Sequence, residues 1–117
     1  MGRWVAVVRD RQGRLLAING PGERPRLAHG SVDAEKPVPS QVCEYLRAEQ
    51  PGILSDFPEL VAIEGRGGTE FVFVFLVRAG EGASPSVAGW TWIEPHRLAG
   101  SLDAEDQRFV SLCPPDS

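Results

Sequence analysis

The chain has 117 residues, of which 42% are apolar, and a net charge of −4 from 12 basic and 16 acidic side chains. This length is typical of one compact domain, so we expect a single domain over residues 1–117 with 112–117 as a short tail. The acidic balance argues against general binding to nucleic acid or to anionic membranes.

The sequence also argues against a membrane or secreted protein. Its apolar runs are much shorter than the roughly 20 residues that cross a bilayer, and its start, MGRWVAVVRDR, lacks the long apolar region of a secretory signal. The only cysteines, Cys43 and Cys113, lie far apart in the sequence. They indicate reduced thiols in a cytoplasmic protein rather than a disulfide or a zinc site.

The N-terminal part predicts a strand, a turn and a second strand. RWVAVVRD (3–10) and LLAI (15–18) are short apolar runs on either side of a polar turn that contains Gly13. The glycines and prolines of NGPGERPR (19–26) predict a loop. LAHGSVDAEKPVP (27–39) is expected to be mostly irregular, with a short extended piece at its start.

A helix is predicted next, roughly from Pro39 or Ser40 to Glu49, with Ser40 as its candidate N-cap. Val42 and Leu46 give it an apolar face at helical spacing. The Pro-Gly pair at 51–52 ends it, and its first turn has no acidic residue to complement the helix dipole.

The second half of the chain predicts further strands. ELVAIEG (59–65) and TEFVFVFLVRAG (69–80) are strand candidates on either side of a turn, and GEGASPSVAG (80–89) is a loop. The 69–80 segment has apolar residues at both odd and even positions, which predicts a central strand covered on both faces. A strand of this kind favours α/β/α layering.

The C-terminal part predicts a strand, WTWIEP (90–95), and a final helix, SLDAEDQRFVSL (101–112), with Asp103 as its N-cap. Trp90 and Trp92 fall on the same side of their strand. We expect at least one of them to pack under the final helix, although both are also able to stack on a base.

This order of elements resembles the Nudix family. VAVVRDRQGRLLAI is similar to its opening hairpin, LAHGSVDAEKP…CEYLRAEQPGI to its signature loop and helix, and TEFVFVFLVRAG with WTWIEPHRLAGSLDAED to its later strands and final helix. The resemblance covers nearly the whole chain and implies a Nudix-like α/β/α sandwich with a mixed β-sheet. It also implies that helix glutamates hold Mg²⁺ or Mn²⁺ and that the metal activates water against a diphosphate.

Most residues of the family signature are absent from this sequence. With the signature aligned from Gly30, Lys36 falls on its loop glutamate, and Glu44-Tyr45 falls on its Arg-Glu pair. Ala48-Glu49 falls on its Glu-Glu pair, so only the glycine and the last glutamate match. The two helix acids lie about 140° apart around the helix axis, so they cannot converge on one cation.

We therefore expect a Nudix-fold protein that has lost metal-dependent diphosphate hydrolysis and uses no cofactor. It would bind a small, nucleotide-like or other phosphate-containing ligand, or act as a protein-interaction domain. Lys36 and Arg47 are the expected phosphate partners, unless both are solvated surface charges. The other expected ligand contacts are His29, Gly30 and Trp92.

Two alternatives remain open at this point. A divergent Nudix hydrolase would cleave nucleoside diphosphate-linked compounds with Mg²⁺ or Mn²⁺, with Glu49 and Glu44 as catalytic candidates. Its candidate metal ligands are Glu49, Glu35 and Glu70. A structural subunit that assembles as a homodimer, or with another protein, is the second alternative.

Overall fold

The structure, a computed structural model, describes residues 2–19, 24–66, 70–80 and 89–114. The strands are β1 (Gly2–Arg9), β2 (Leu15–Ile18), β3 (Arg26–Ser31), β4 (Glu59–Arg66), β5 (Glu70–Arg78) and β6 (Trp90–Ile93). The helices are α1 (Val38–Glu49), α2 (Leu98–Ser101) and α3 (Ala104–Leu112), with a 3₁₀ turn at Pro95–Arg97. Residues 20–23, 67–68 and 81–88, where the sequence predicts loops or turns, lie outside the described residues, as does Thr69, the predicted start of a strand.

The strands form one mixed, six-stranded sheet in the order β4-β5-β1-β3-β2-β6. β1 and β5 are parallel, and the other neighbouring pairs are antiparallel. Because β3 lies between β1 and β2, the predicted β1–β2 hairpin is paired only at Arg9 and Leu15.

Each face of the sheet carries its own core, as the alternation along β5 predicts. Val74 of β5 packs with Phe109 of α3 on one face, and Phe75 packs with Leu46 of α1 on the other. Successive strand residues point to opposite faces, so a strand that is apolar throughout needs a helix on each side. The α/β/α sandwich with a mixed sheet is therefore confirmed.

The short extended piece expected near Leu27 is strand β3, but the strand runs over Arg26–Ser31, so the prediction of irregular structure is wrong for residues 28–31. His29 and Gly30 lie in this strand and not in a turn. β3 is hydrogen-bonded to β1 on one side and to β2 on the other. Pairing on both sides holds the segment extended although Ala and Gly have weak strand propensity.

Helix α1 begins at Val38, one residue before the earlier of its two predicted starts, but the predicted N-cap is wrong, since Ser40 lies inside the first turn. Pro37 occupies the N-cap position, and no side chain caps the helix. Pro39 has no N–H to satisfy, which lessens the need for a capping side chain. The helix ends at Glu49, as predicted, and its first turn has no acid.

Trp90 and Trp92 lie on the same side of β6, as predicted, but they pack on the α1 face rather than under α3. The strand register explains this placement, because Trp92 lies opposite Leu16 of β2, which belongs to the α1 core. The guanidinium carbon of Arg14 lies 5.4 Å from the centre of a Trp92 ring.

Both cysteines are buried free thiols, which confirms the prediction that they are not joined. Cys43 is on α1, whereas Cys113 belongs to the core on the α3 face. Burial raises the pKa of the Cys113 thiol to about 11. The cytoplasmic location stays a prediction. Among the described residues, no helix has the length and apolar character needed to span a membrane.

The N-terminus of α3 holds a buried carboxylate, Asp106. Asp103 is the N-cap, as predicted, and accepts a hydrogen bond of 2.9 Å from the Asp106 N–H. The Asp106 side chain accepts a hydrogen bond of 3.2 Å from the Leu27 N–H of β3. Burial raises the pKa of the Asp106 carboxyl above its ordinary value, and the Leu27 hydrogen bond lowers it in part.

We expect Asp106→Asn to become more stabilising, relative to the natural protein, as the pH rises from about 4 to about 7. Because the folded-state pKa of Asp106 is raised, its contribution to stability is present at acid pH and is lost as the pH rises through that pKa. Asparagine keeps an oxygen for Leu27 and carries no charge. The measurement is urea unfolding across this pH range. Asp56→Asn, at an exposed position, is the control, and an equal effect of Asp106→Asn at every pH would contradict the expectation.

Candidate functional site

A pocket of about 430 Å³ opens on the α1 face, between β3, the following loop and α1. We call it the β3–α1 pocket. Its aromatic side is formed by Trp4 of β1 and Tyr45 of α1, whose ring centres are 5.1 Å apart in an edge-to-face arrangement. Tyr45 also lies 6.3 Å from Trp90, measured between ring centres. The pocket therefore adjoins a cluster of three aromatic side chains.

Gly30 lines this pocket because it lies directly opposite Trp4 in the sheet. A Cβ atom at position 30 would come within 2.7 Å of the Trp4 ring, closer than packed atoms approach. Gly30, which aligns with the glycine of the family signature, is thus required because any larger residue would collide with the indole ring of Trp4.

The polar side of the pocket is organised by Gln41, which is nearly buried at 9% exposure. Its carbonyl oxygen accepts a hydrogen bond of 2.8 Å from the Asp33 N–H. Its amide nitrogen donates to the carbonyl oxygens of Asp33 and Lys36 at 2.8 and 2.9 Å. Gln41 therefore links the loop to α1 and fixes the backbone positions of Asp33 and Lys36 beside the pocket.

Lys36 and Glu44 also line the β3–α1 pocket, with the Lys36 Nζ atom 4.0 Å from a Glu44 carboxylate oxygen. The two side chains are 56% and 66% exposed. Sequence spacing suggests that Glu44 pairs with Arg47, but the described ion pair of Glu44 is with Lys36. An exposed pair of this kind contributes about 0–1 kcal/mol, so a ligand can replace it at little cost.

The hydroxyl of Tyr45 stays protonated at neutral pH. Burial raises the pKa of Tyr45, and the charge of Glu49 one turn away raises it further. The ring is half-buried, so Tyr45 offers the pocket an aromatic face and a hydroxyl group able to donate or accept a hydrogen bond.

Arg47 lies elsewhere, in a second pocket of about 250 Å³ that it lines together with Cys43, Asp56 and Phe57. We call this the Arg47 pocket. Lys36 and Arg47, the two expected phosphate partners, are therefore not brought together in one pocket.

His29 and Trp92 do not line the β3–α1 pocket. His29 is paired with Val5, which belongs to the core on the α3 face, so its side chain is on the sheet face opposite to the pocket. Its Nδ1 atom is 2.9 Å from the Leu27 carbonyl oxygen, which can only accept, so Nδ1 carries the proton. Trp92 packs at the β6 edge of the sheet.

The candidate metal ligands are also dispersed. Glu35 is an exposed loop residue whose N–H donates to Asp33, Glu70 is an exposed residue at the start of β5, and Glu49 is exposed on α1. In the described parts of the chain, no three His, Cys, Asp or Glu side chains converge as metal ligands would. Mg²⁺ needs an octahedral set of oxygen ligands. The described side chains do not fit that requirement.

Five lining residues of the pocket were not anticipated as site residues: Trp4, Ser31, Asp33, Gln41 and Tyr45. Trp4 lies in an apolar strand, so its sequence context predicts a core residue. It is indeed buried in the core, with 2% of its surface exposed. Gln41 looks like an ordinary polar residue of a helix start. Tyr45 carried a signal, since it stands where the aligned signature has a glutamate and thereby replaces a carboxylate by an aromatic ring.

No protein-family model and no curated protein matches this sequence. Solved structures do match it over nearly its whole length. The MutT NUDIX hydrolase from Burkholderia pseudomallei is 23% identical, with a TM-score of 0.72 and coverage of 97% of each chain. The chain has the Nudix fold.

Two other structures with this fold contain different bound molecules, one a small molecule and the other a protein. The NUDIX domain of Shewanella oneidensis NrtR, in complex with ADP ribose, is 12% identical, with a TM-score of 0.72 and coverage of 96% of this chain and 84% of that one. The C-terminal domain of mouse MUTYH, in complex with human PCNA, is 10% identical, with a TM-score of 0.72 and coverage of 95% and 85%. The structural similarity establishes the Nudix fold of the chain. Sequence identities this low leave its activity open.

Proposed function

We propose that this Nudix-fold chain binds a small ligand in the β3–α1 pocket and does not hydrolyse diphosphates through a metal. One observation carries the proposal. The pocket formed by the signature-like loop and helix combines the aromatic rings of Trp4 and Tyr45 with a Lys36–Glu44 ion pair, where metal-binding carboxylates would be needed. Aromatic walls with a few placed polar groups are typical of small-molecule sites.

The rigidity of the pocket supports binding. Gln41 holds the loop through three hydrogen bonds of 2.8 to 2.9 Å, and Trp4 is fixed against Gly30. A site already held in its bound shape loses less conformational entropy when a ligand enters. The NrtR domain, which has the same fold, was crystallised with a small molecule, ADP ribose.

The test compares ligand binding with turnover. We expect a small-molecule panel of nucleotides, amino acids and amines to contain compounds that raise the melting temperature in the presence of a chelator. Tyr45→Ala should abolish this stabilisation and Arg47→Ala, in the other pocket, should preserve it. We expect no release of phosphate or nucleoside monophosphate from nucleoside diphosphate-linked compounds with Mg²⁺ or Mn²⁺. Turnover that disappears in Glu49→Gln would establish the hydrolase alternative instead.

A second candidate function, protein interaction, is favoured by one surface. Leu60 and Ile63 of the edge strand β4 and Phe71 of β5 are large apolar side chains on the α1 face with exposures of 46%, 54% and 48%. Exposed apolar groups of this kind often mark interfaces. If the protein forms a homodimer through them, sedimentation equilibrium will show a dimer that Ile63→Glu converts to a monomer. A monomer at all concentrations would contradict the homodimer.

A further inference from the structure

We propose that the β3–α1 pocket selects ligands that carry a cationic group beside a planar or apolar body, and that it disfavours phosphate-bearing ligands. This inference rests on the proposed function, because it names the ligand class of the same pocket. It differs from the expectation drawn from the sequence, in which Lys36 and Arg47 together hold a phosphate.

The charges that line the pocket give the first argument. Asp33 and Glu44 each contribute a carboxylate, and Lys36 contributes the single cation, so the charged lining has a net charge of one negative. Arg47, which would cancel this negative charge, lines the other pocket. A phosphate would therefore enter a negatively charged opening, whereas an ammonium or guanidinium group would be attracted.

The arrangement of these charges gives the second argument. The Lys36 ammonium is 4.0 Å from the Glu44 carboxylate, so an anion that approaches Lys36 also meets the negative charge of Glu44. Asp33 is held by Gln41 at both its N–H and its carbonyl oxygen. The backbone that carries the second carboxylate is thus fixed at the pocket and cannot easily retreat from an anionic ligand.

The aromatic side gives the third argument. The Trp4 and Tyr45 rings line the pocket, with centres 5.1 Å apart. The negative face of an aromatic ring attracts a cation. Tyr45 is half-buried and is the ring that a ligand can reach, whereas Trp4 is 2% exposed and packs against Tyr45. Carboxylates and aromatic rings in the same pocket therefore favour a ligand with a positive group and an apolar or planar body.

The experiment uses four probes and isothermal titration calorimetry on the full chain. Tryptamine, tryptophan and indole-3-acetate present a cation, a zwitterion and an anion on the same indole body, and AMP adds a phosphate on a planar base. We expect tryptamine to bind roughly fivefold or more tightly than indole-3-acetate at low salt, and AMP to bind more weakly than tryptamine. High salt should reduce the difference.

Variants locate the effect in the pocket. Glu44→Gln removes one of the two carboxylates at an exposed position and should bring the affinities for tryptamine and indole-3-acetate closer together. Asp56→Asn makes the same charge change at the Arg47 pocket and should leave the ranking unchanged.

The outcomes separate the two proposals. If indole-3-acetate or AMP binds the natural protein as tightly as tryptamine, or if Glu44→Gln leaves the ranking intact, the inference is wrong while the pocket remains a ligand site. If none of the four probes gives heat or shifts the amide resonances of Gly30 and Tyr45, the inference is overturned. If the broader panel also gives no stabilisation, the proposed function is overturned with it.

Discussion

Replacing Trp4 by alanine is expected to lower the free energy of unfolding by about 3–5 kcal/mol and to abolish ligand binding in the β3–α1 pocket. Trp4 is 2% exposed and packs in the α1 core, so its removal leaves a large cavity beneath the pocket. It also supplies the ring that meets Tyr45. Chemical denaturation measures the stability, and calorimetry with the ligand found in the panel measures the binding.

Two further variants make this expectation specific. Phe57→Ala removes an aromatic ring that is 65% exposed and should change stability by no more than about 0.5 kcal/mol. Trp4→Phe keeps part of the packed volume and should lose less stability than Trp4→Ala. Equal effects of Trp4→Ala and Phe57→Ala would mean that Trp4 is not part of the packed core.

Gly30→Ala is expected to cost about 1–3 kcal/mol, because the added methyl group overpacks the sheet against Trp4. The Cβ would lie 2.7 Å from the indole ring, and that ring is too tightly enclosed to move freely. Gly65→Ala is the matched control. Gly65 is also a strand glycine, but a Cβ there has no neighbouring atom within 4 Å among the described residues, so alanine should be tolerated.

A double-mutant cycle identifies the cause of the Gly30 effect. In a Trp4→Leu background the indole is gone, so adding Gly30→Ala should cost much less than it does in the natural protein. Additive losses would contradict the steric explanation and would indicate that Gly30 is needed for another reason.

Much of the architecture was predictable because it depends on local pattern. The apolar run of β5 requires cover on both faces, and α1 and α3 provide it. The Asp103 cap and the end of α1 at Glu49 were likewise predicted from neighbouring residues. These features depend on side-chain periodicity and on the chemistry of helix ends, which a single sequence displays directly.

β3 was not predictable in the same way. Its strand character comes from hydrogen bonds to β1 and β2, which are distant in sequence, and its own residues have little strand propensity. The same strand decides that Gly30 meets Trp4 while His29 points to the opposite face. At least one of Trp90 and Trp92 was expected under the final helix, but strand register, which comes from pairing, assigns both to the α1 face.

The candidate site shows the same division. Its loss of signature glutamates is visible in the order of residues, since Lys36, Tyr45 and Ala48 stand where carboxylates would be needed. The residues that line the pocket in place of these carboxylates come from separate parts of the chain. Trp4 belongs to β1 and Gln41 to α1. Only folding brings these side chains together and separates Lys36 from Arg47, because residues on one helix and its preceding loop can face different pockets. The sequence therefore identifies the Nudix-like architecture, and the tertiary contacts determine which of its residues form a site.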